Sequence, residues 1–192
     1  MTPTEHIVDV FFNEIKNCFT ISDVKVEKGN NRQFDLLAYE IKSKTQYHIE
    51  ISVTHNQHWT ANLTNLNSEI EAKFFGNPKN NRPGNQNTDF AKGKSYLDSI
   101  KNTYEKYGFD YEKVIRVWVL WYFKDTPEEI EKWKSNLASR FQLEKENFEL
   151  YSFRDQILKS LFEEIGTSNY SDDVMRTLSL MKEYKRQGGI LR

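Results

Sequence analysis

The sequence predicts an α/β protein whose mixed β-sheet of about five strands is flanked by helices on both faces. Three observations favour this class. Residues 33–39 and 47–54 alternate between apolar and polar side chains, as half-buried strands do. Residues 114–123 are apolar on both faces apart from Arg116, which is typical of a strand covered by helices on both sides. Apolar residues at helical spacing recur before, between and after these segments.

A helix and a short strand are predicted before the alternating pair. Ile7, Phe11 and Ile15 recur at helical spacing, so we predict a helix over residues 4–19. Residues 23–27 alternate in polarity and end near a Gly-Asn-Asn turn signal, which predicts a strand there.

The two alternating segments predict an antiparallel hairpin. We place its two-residue turn at residues 43–44, which sets Asp35 opposite Ser52. Glu50 then lies on the face of Asp35 as its diagonal neighbour, because successive strand residues alternate sides. Diagonal neighbours are about 7–8 Å apart at the backbone and closer at the side chains. Two carboxylates at that separation can hold a hard divalent cation between them.

Two helices with a loop between them are predicted after the hairpin. Residues 62–75 carry apolar side chains on one helical face, and residues 89–107 carry a second apolar stripe. Residues 76–88 are rich in Asn, Gly and Pro, which predicts a long loop. The strand over residues 114–123 follows.

The last part of the sequence begins with a well-formed helix start. Thr126 is the expected N-cap, a proline follows it, and Glu129 completes a capping box. A strand is then predicted over residues 148–153, followed by helices over residues 154–165 and 172–185.

Composition indicates one domain over residues 1–192, with a helical C-terminal extension from about residue 154. The chain is 38% apolar and 29% charged, and its formal net charge is −1, so no overall basic charge favours nucleic acid. No apolar run approaches the ~18 residues of a membrane span. Cys18 is the only cysteine, which suits a reducing compartment. We therefore expect a cytoplasmic protein that does not bind membranes.

The order of elements, with Asp35 on one strand and Glu50 on the next, resembles the PD-(D/E)xK nuclease family and its restriction-endonuclease-like fold. The resemblance covers residues 4–123, and residues 128–153 would complete the sheet. It implies hydrolysis of phosphodiester bonds, and many members act as dimers.

The resemblance also implies a set of metal ligands. Asp35 matches the family's first metal-binding aspartate, Glu50 matches its second acidic residue, and Glu14 matches an acidic residue of the first helix. Together with the carbonyl of Ile51, these residues would bind Mg²⁺ or Mn²⁺. Taken singly, each of the three acidic residues also suits an ordinary solvent-facing position.

Ser52 departs from the family pattern, which usually has a lysine at this position. A serine cannot supply the positive charge that helps to position the attacking water and to stabilise the phosphate. The lysine then comes from elsewhere, with Lys73, Lys92 and Lys94 as candidates, or the chain has kept the fold without catalysis.

A basic, Asn-rich segment and the exit of the second alternating strand supply candidate contacts to a nucleic-acid backbone. These candidates are Lys79, Arg82, Lys92, Lys94, Trp59, His55 and His58. A solvated helix face and a polar loop explain the same residues. Tyr96 is a further aromatic candidate for substrate contact. His48 shares the face of Glu50, as a neighbour that supports the site or as a surface histidine.

The sequence therefore favours a metal-dependent endonuclease that acts on DNA in restriction, repair or defence. Asp35, Glu50, Ser52 and one of the three lysines would form its active site. The alternative is a catalytically inactive protein of the same fold that binds nucleic acid or a protein partner. A third interpretation is a protein-interaction module whose sheet happens to carry these carboxylates.

Overall fold

The computed structural model of the chain describes residues 1–29, 31–53, 63–77, 95–166 and 168–188. In these residues the protein has an α/β architecture, with a five-stranded mixed sheet in the order β1-β2-β3-β4-β5 and six α-helices. β1 and β2 are antiparallel, as are β2 and β3, whereas β3, β4 and β5 run parallel. The strands are β1 (Cys18–Lys25), β2 (Gln33–Glu40), β3 (Thr45–Ser52), β4 (Ile115–Leu120) and β5 (Phe148–Ser152).

Helices cover both faces of this sheet, as the fold class predicts. The helices are α1 (Pro3–Val10), α2 (Leu63–Phe74), α3 (Leu97–Lys106), α4 (Pro127–Phe141), α5 (Lys159–Glu164) and α6 (Asp173–Arg186). The α1, α5 and α6 helices pack on one face through a core that includes Val8, Leu161 and Val117. The α2, α3 and α4 helices contribute to the cores on the opposite face.

The last residues of the predicted helix over residues 4–19 are not helical. After α1 the chain makes a π-helical turn, Phe11–Ile15, and Asn17 then takes a left-handed φ of 53°. β1 begins directly afterwards, because its residues find hydrogen-bonding partners along β2. The strand predicted over residues 23–27 is therefore only the end of a longer strand.

The register of the β2–β3 hairpin also differs from the prediction. The ladder pairs Leu36 with Ile49 and closes at Glu40 and Thr45, so the loop spans residues 41–44 instead of a two-residue turn. This shifts the register by two residues, and Asp35 does not face Ser52. A shift by two keeps every side chain on its predicted face, because side chains alternate with a period of two.

Several predicted elements are confirmed with small changes of boundary. Thr126 caps α4 in a complete capping box with Glu129, and β5 lies where the strand was predicted. The helix predicted over residues 154–165 begins as a π-helical segment, Phe153–Leu158, before α5. Of the helix predicted over residues 89–107, residues 89–94 lie outside the described residues, and α3 begins only at Leu97.

The C-terminal helices are part of the main core. Ile157, Leu161 and Met175 are buried in the same cluster as Val8 and Val117. In the part of the chain that the structure describes, no helix is both long and apolar enough to cross a membrane.

Candidate active site

The two predicted carboxylates lie on adjacent strands and on the same face of the sheet. The observed ladder pairs Leu36 with Ile49. Continuing it by one residue sets Asp35 directly across from Glu50, where side chains are closer than diagonal neighbours. The amide of Ile51 donates to Asp35 Oδ2 at 2.7 Å, which ties the Asp35 carboxylate to β3.

Lys73, near the end of α2, brings a positive charge to this pair. Its Nζ lies 2.6 Å from Glu50 Oε2 and 3.6 Å from Asp35 Oδ1. The contact with Glu50 is a close ion pair. The Glu50 side chain is 1% exposed, Asp35 is 13% exposed and Lys73 is 36% exposed, so the group opens to solvent on the lysine side.

Two buried side chains, His48 and Tyr104, position Glu50 from the interior of the protein. His48 Nε2 is 2.8 Å from Glu50 Oε1, and His48 Nδ1 is 2.6 Å from the hydroxyl of Tyr104 on α3. An ionised Glu50 can only accept, so Nε2 carries the imidazole proton and Nδ1 accepts from the tyrosine hydroxyl. The chain Tyr104–His48–Glu50 thus fixes the direction in which the carboxylate points.

Burial and mutual repulsion raise the free energy of the ionised forms of Asp35 and Glu50. Burial, with the neighbouring Glu50 adding to it, raises the pKa of Asp35 to about 6, although Lys73 and the Ile51 amide act against the shift. Burial also raises the pKa of Glu50, and Lys73 partly offsets this rise. Each carboxylate therefore gains from a cation placed between them.

The pKa values of the two basic neighbours, Lys73 and His48, shift in opposite directions. Burial by itself would lower the pKa of Lys73, but Glu50 and Asp35 outweigh it, and the pKa of Lys73 is raised. Burial lowers the pKa of His48 well below its ordinary value, with Arg116 adding to the effect. At neutral pH Lys73 is an ammonium ion, whereas His48 is a neutral donor.

The other predicted ligands do not join this group. Glu14 lies exposed on the π-helical turn, whose aromatic neighbours pack on the opposite face of the sheet. Among the described residues, no three His, Cys, Asp or Glu side chains gather into a metal-binding cluster. Ser52 ends β3, opposite Leu120 of β4. Its side chain falls on the face of Glu50 by alternation.

Most of the predicted nucleic-acid contacts fall outside the described residues. These residues are Lys79, Arg82, Lys92, Lys94, Trp59, His55 and His58. Tyr96 is described and is only 4% exposed, with the guanidinium of Arg32 over its ring at 4.8 Å. Its ring packs inside the protein and offers almost no exposed surface for the predicted substrate contact.

Sequence reasoning left the role of His48 open between two alternatives and missed the role of Tyr104. Of the two roles considered for His48, the surface histidine is wrong, since His48 is fully buried. The signal that pointed to it was its alternation with Glu50, which places both on one face. Tyr104 was one of the residues on the apolar stripe of the predicted helix, and nothing local marked its hydroxyl as a partner of His48.

The fold and the site define an α/β protein with a buried carboxylate pair that is bridged by a lysine from a covering helix. The chain matches no protein-family model, no curated protein and no solved structure with which it was compared.

Proposed function

We propose that this protein is a metal-dependent nuclease that hydrolyses phosphodiester bonds in DNA. The observation that carries the proposal is the position of Lys73, whose ammonium group lies within ion-pair distance of both Asp35 and Glu50. The resemblance to PD-(D/E)xK nucleases requires a lysine beside two carboxylates, and Ser52 stands where that lysine usually lies. Lys73 supplies the same charge from α2.

The donor set suits Mg²⁺ or Mn²⁺. Asp35 and Glu50 offer hard carboxylate oxygens, and the carbonyl of Ile51 adjoins them along the strand. Both carboxylates have raised pKa values because they are desolvated, so they favour a bound cation. Mg²⁺ is usually held by one or two carboxylates together with water and substrate phosphate, which makes a third acidic ligand unnecessary.

Each residue of the site would have a distinct role in the proposed hydrolysis. Asp35 and Glu50 hold the metal, which supplies Lewis-acid chemistry and an activated water when bound. His48 keeps Glu50 in place through its Nε2 proton. Lys73 remains protonated, so its part is to stabilise negative charge on the phosphate and not to remove a proton.

Cleavage assays test this proposal. Plasmid and single-stranded DNA would be incubated with the protein and Mg²⁺ or Mn²⁺, beside the variants Asp35→Asn, Glu50→Gln and Lys73→Ala. We expect metal-dependent cleavage by the wild type, loss of cleavage in the carboxylate variants, and a fall of about a hundredfold or more for Lys73→Ala. Lys113→Ala is the matched control, since Lys113 is an exposed lysine paired with Asp110.

Two results of these assays would contradict different parts of the proposal. Absence of cleavage by the wild type with either metal would overturn the nuclease assignment and favour an inactive protein of this fold that binds nucleic acid or a protein partner. Equal cleavage by Lys73→Ala and the wild type would refute the role given to Lys73 while leaving the carboxylates as ligands.

A further inference from the structure

A pocket lies beside the carboxylate pair, between the loop that joins β1 to β2 and the helices α2 and α3. It has a volume of about 240 Å³, and its polar lining includes Asn31, Arg32, Gln33 and Lys73. Lys73 belongs to both the pocket and the carboxylate site, so the two are continuous. These polar side chains are accessible, since Asn31 and Gln33 are exposed and the other two are partly exposed.

Arg32 is held in place by contacts with two other parts of the chain. Its Nη1 donates to the carbonyl of Ala72, the residue before Lys73, at 2.7 Å. Its guanidinium lies over the ring of Tyr96 at 4.8 Å. A guanidinium carries five N–H donors, so Arg32 can hold an anion while one donor stays on Ala72. Because the side chain is already positioned, little conformational entropy is lost when an anion binds.

The charge of the pocket depends on the carboxylate site. Among the described residues that line the pocket, Arg32 and Lys73 are the cations. Asp35 and Glu50 lie against Lys73, and Asp23 accepts a hydrogen bond from a lining glutamine at 3.0 Å. In formal charge these three carboxylates outnumber the two cations by one. A divalent cation held by Asp35 and Glu50 reverses the balance, so the pocket favours an anion when the proposed metal is bound.

The size and position of the pocket restrict the anion to a small group near the metal. Its volume lies below the range of about 300–1,000 Å³ that is usual for small-molecule sites, which suits a phosphate with part of its sugar better than a whole nucleotide. Arg32 and Asp35 are three residues apart, about 10 Å along an extended strand. A strand of duplex DNA advances about 3.4 Å per nucleotide, so this distance corresponds to about three nucleotides.

We propose that this pocket binds a backbone phosphate of the DNA strand, within about three nucleotides of the phosphate at the metal, and that Arg32 contacts it. The proposal rests on the proposed function, because the pocket adjoins the metal site and gains positive charge from it. A phosphate contact fixes the register of a strand and carries no base preference. The pocket would thus set which phosphodiester bond reaches the metal without reading the sequence.

The salt dependence of DNA binding tests this proposal. Fluorescence anisotropy of labelled single-stranded and duplex oligonucleotides is measured over a range of KCl concentrations, in EDTA and in Ca²⁺, which takes hard oxygen ligands as Mg²⁺ does. Arg32→Gln removes the charge but keeps a side-chain N–H for the carbonyl of Ala72. In Ca²⁺ we expect this variant to bind about tenfold more weakly at low salt. The slope of log affinity against log salt concentration should be smaller by about 0.7 for single strands and 0.9 for duplexes. The wild type should bind more tightly in Ca²⁺ than in EDTA.

Two further variants separate the charge of the pocket from support of the fold. Asn31→Asp adds a negative charge to the pocket and leaves Arg32 unchanged, and it should also weaken binding. Aspartate tolerates the left-handed φ of 63° at this position as asparagine does. Lys25→Ala is the matched control, because Lys25 is exposed on the same hairpin and alternates with the buried Val24 and Val26, which places it on the opposite face. It should keep the affinity and the slope of the wild type.

Binding and cleavage together distinguish failure of the pocket from failure of the nuclease. If Arg32→Gln and Asn31→Asp bind DNA as the wild type does in Ca²⁺, or if the wild type binds no DNA, the pocket assignment is overturned whether or not DNA is cleaved. Weaker binding by Arg32→Gln with an unchanged slope also overturns it, because Arg32 then only supports α2. A slope that falls as expected, in a protein that cleaves no DNA with Mg²⁺ or Mn²⁺, supports the phosphate contact and overturns the nuclease.

Discussion

Replacing Asp35 with asparagine is expected to stabilise the protein at neutral pH while it removes a proposed metal ligand. Asparagine has nearly the shape of a protonated aspartic acid, and its oxygen can still accept from the amide of Ile51, which now donates to Asp35 at 2.7 Å. The substitution removes the charge that burial and Glu50 oppose, together with the attraction of Lys73.

The magnitude follows from the pKa of Asp35, which is raised from 3.8 to about 6 in the folded protein. Between these two values the folded protein holds a proton that the unfolded chain releases. The contribution of a protonated Asp35 is therefore fully present below about pH 4 and is lost as the pH rises through about 6. A shift of this size corresponds to about 3 kcal/mol. Asp35→Asn should thus match the wild type near pH 4 and exceed it by up to about 3 kcal/mol at pH 7.5.

Urea denaturation of both proteins in EDTA, at several values of pH, measures this difference. Asp110→Asn is the control of opposite sign, because the hydrogen bond from Lys113 lowers the pKa of Asp110, and this variant should gain no stability at neutral pH. The reasoning is refuted if the stability difference between Asp35→Asn and the wild type is the same at pH 4 and pH 7.5. That result would mean that the Asp35 carboxylate is well solvated in the folded protein.

Two further predictions concern the parts of the fold that support the site. Tyr104→Phe keeps the ring but removes the hydroxyl 2.6 Å from His48 Nδ1, so a buried acceptor loses its partner. We expect a loss of about 1–3 kcal/mol in urea denaturation, and a loss near zero would show that the hydroxyl does not support His48. Thr126→Ala removes the side-chain cap of α4, with an expected loss of about 1 kcal/mol. Thr126→Ser should retain most of that stability in thermal unfolding, and equal losses for both variants would argue against the cap.

Local rules explain the features that sequence reasoning predicted well. The start of α4 follows from short-range hydrogen bonds between Thr126 and Glu129, which depend on no distant residue. The common face of Asp35 and Glu50 follows from alternation along two strands, and an error of two residues in register leaves it unchanged. Burial of β4 on both faces follows from its continuous apolar sequence.

Contacts between residues far apart in the sequence decided the features that sequence reasoning predicted badly. Phe19 continues the helical spacing of Phe11 and Ile15, yet it lies in β1 because β2 offers a long antiparallel ladder. Histidine is a polar residue type that is common at protein surfaces. The packing of α3 over β3 buries His48 against Tyr104. Propensity is a weak prior that tertiary context overrides.

The sequence by itself determined that two carboxylates share one face of a mixed sheet, because the period of a strand is a local property. It did not determine which of Lys73, Lys92 and Lys94 lies beside the carboxylates. A lysine distant in sequence contacts a strand only through the packing of the helix that carries it. The tertiary structure places the ammonium group of Lys73 against both carboxylates, where α2 crosses the sheet. Burial under that helix also raises the pKa values of the carboxylates, which no reading of adjacent residues predicts.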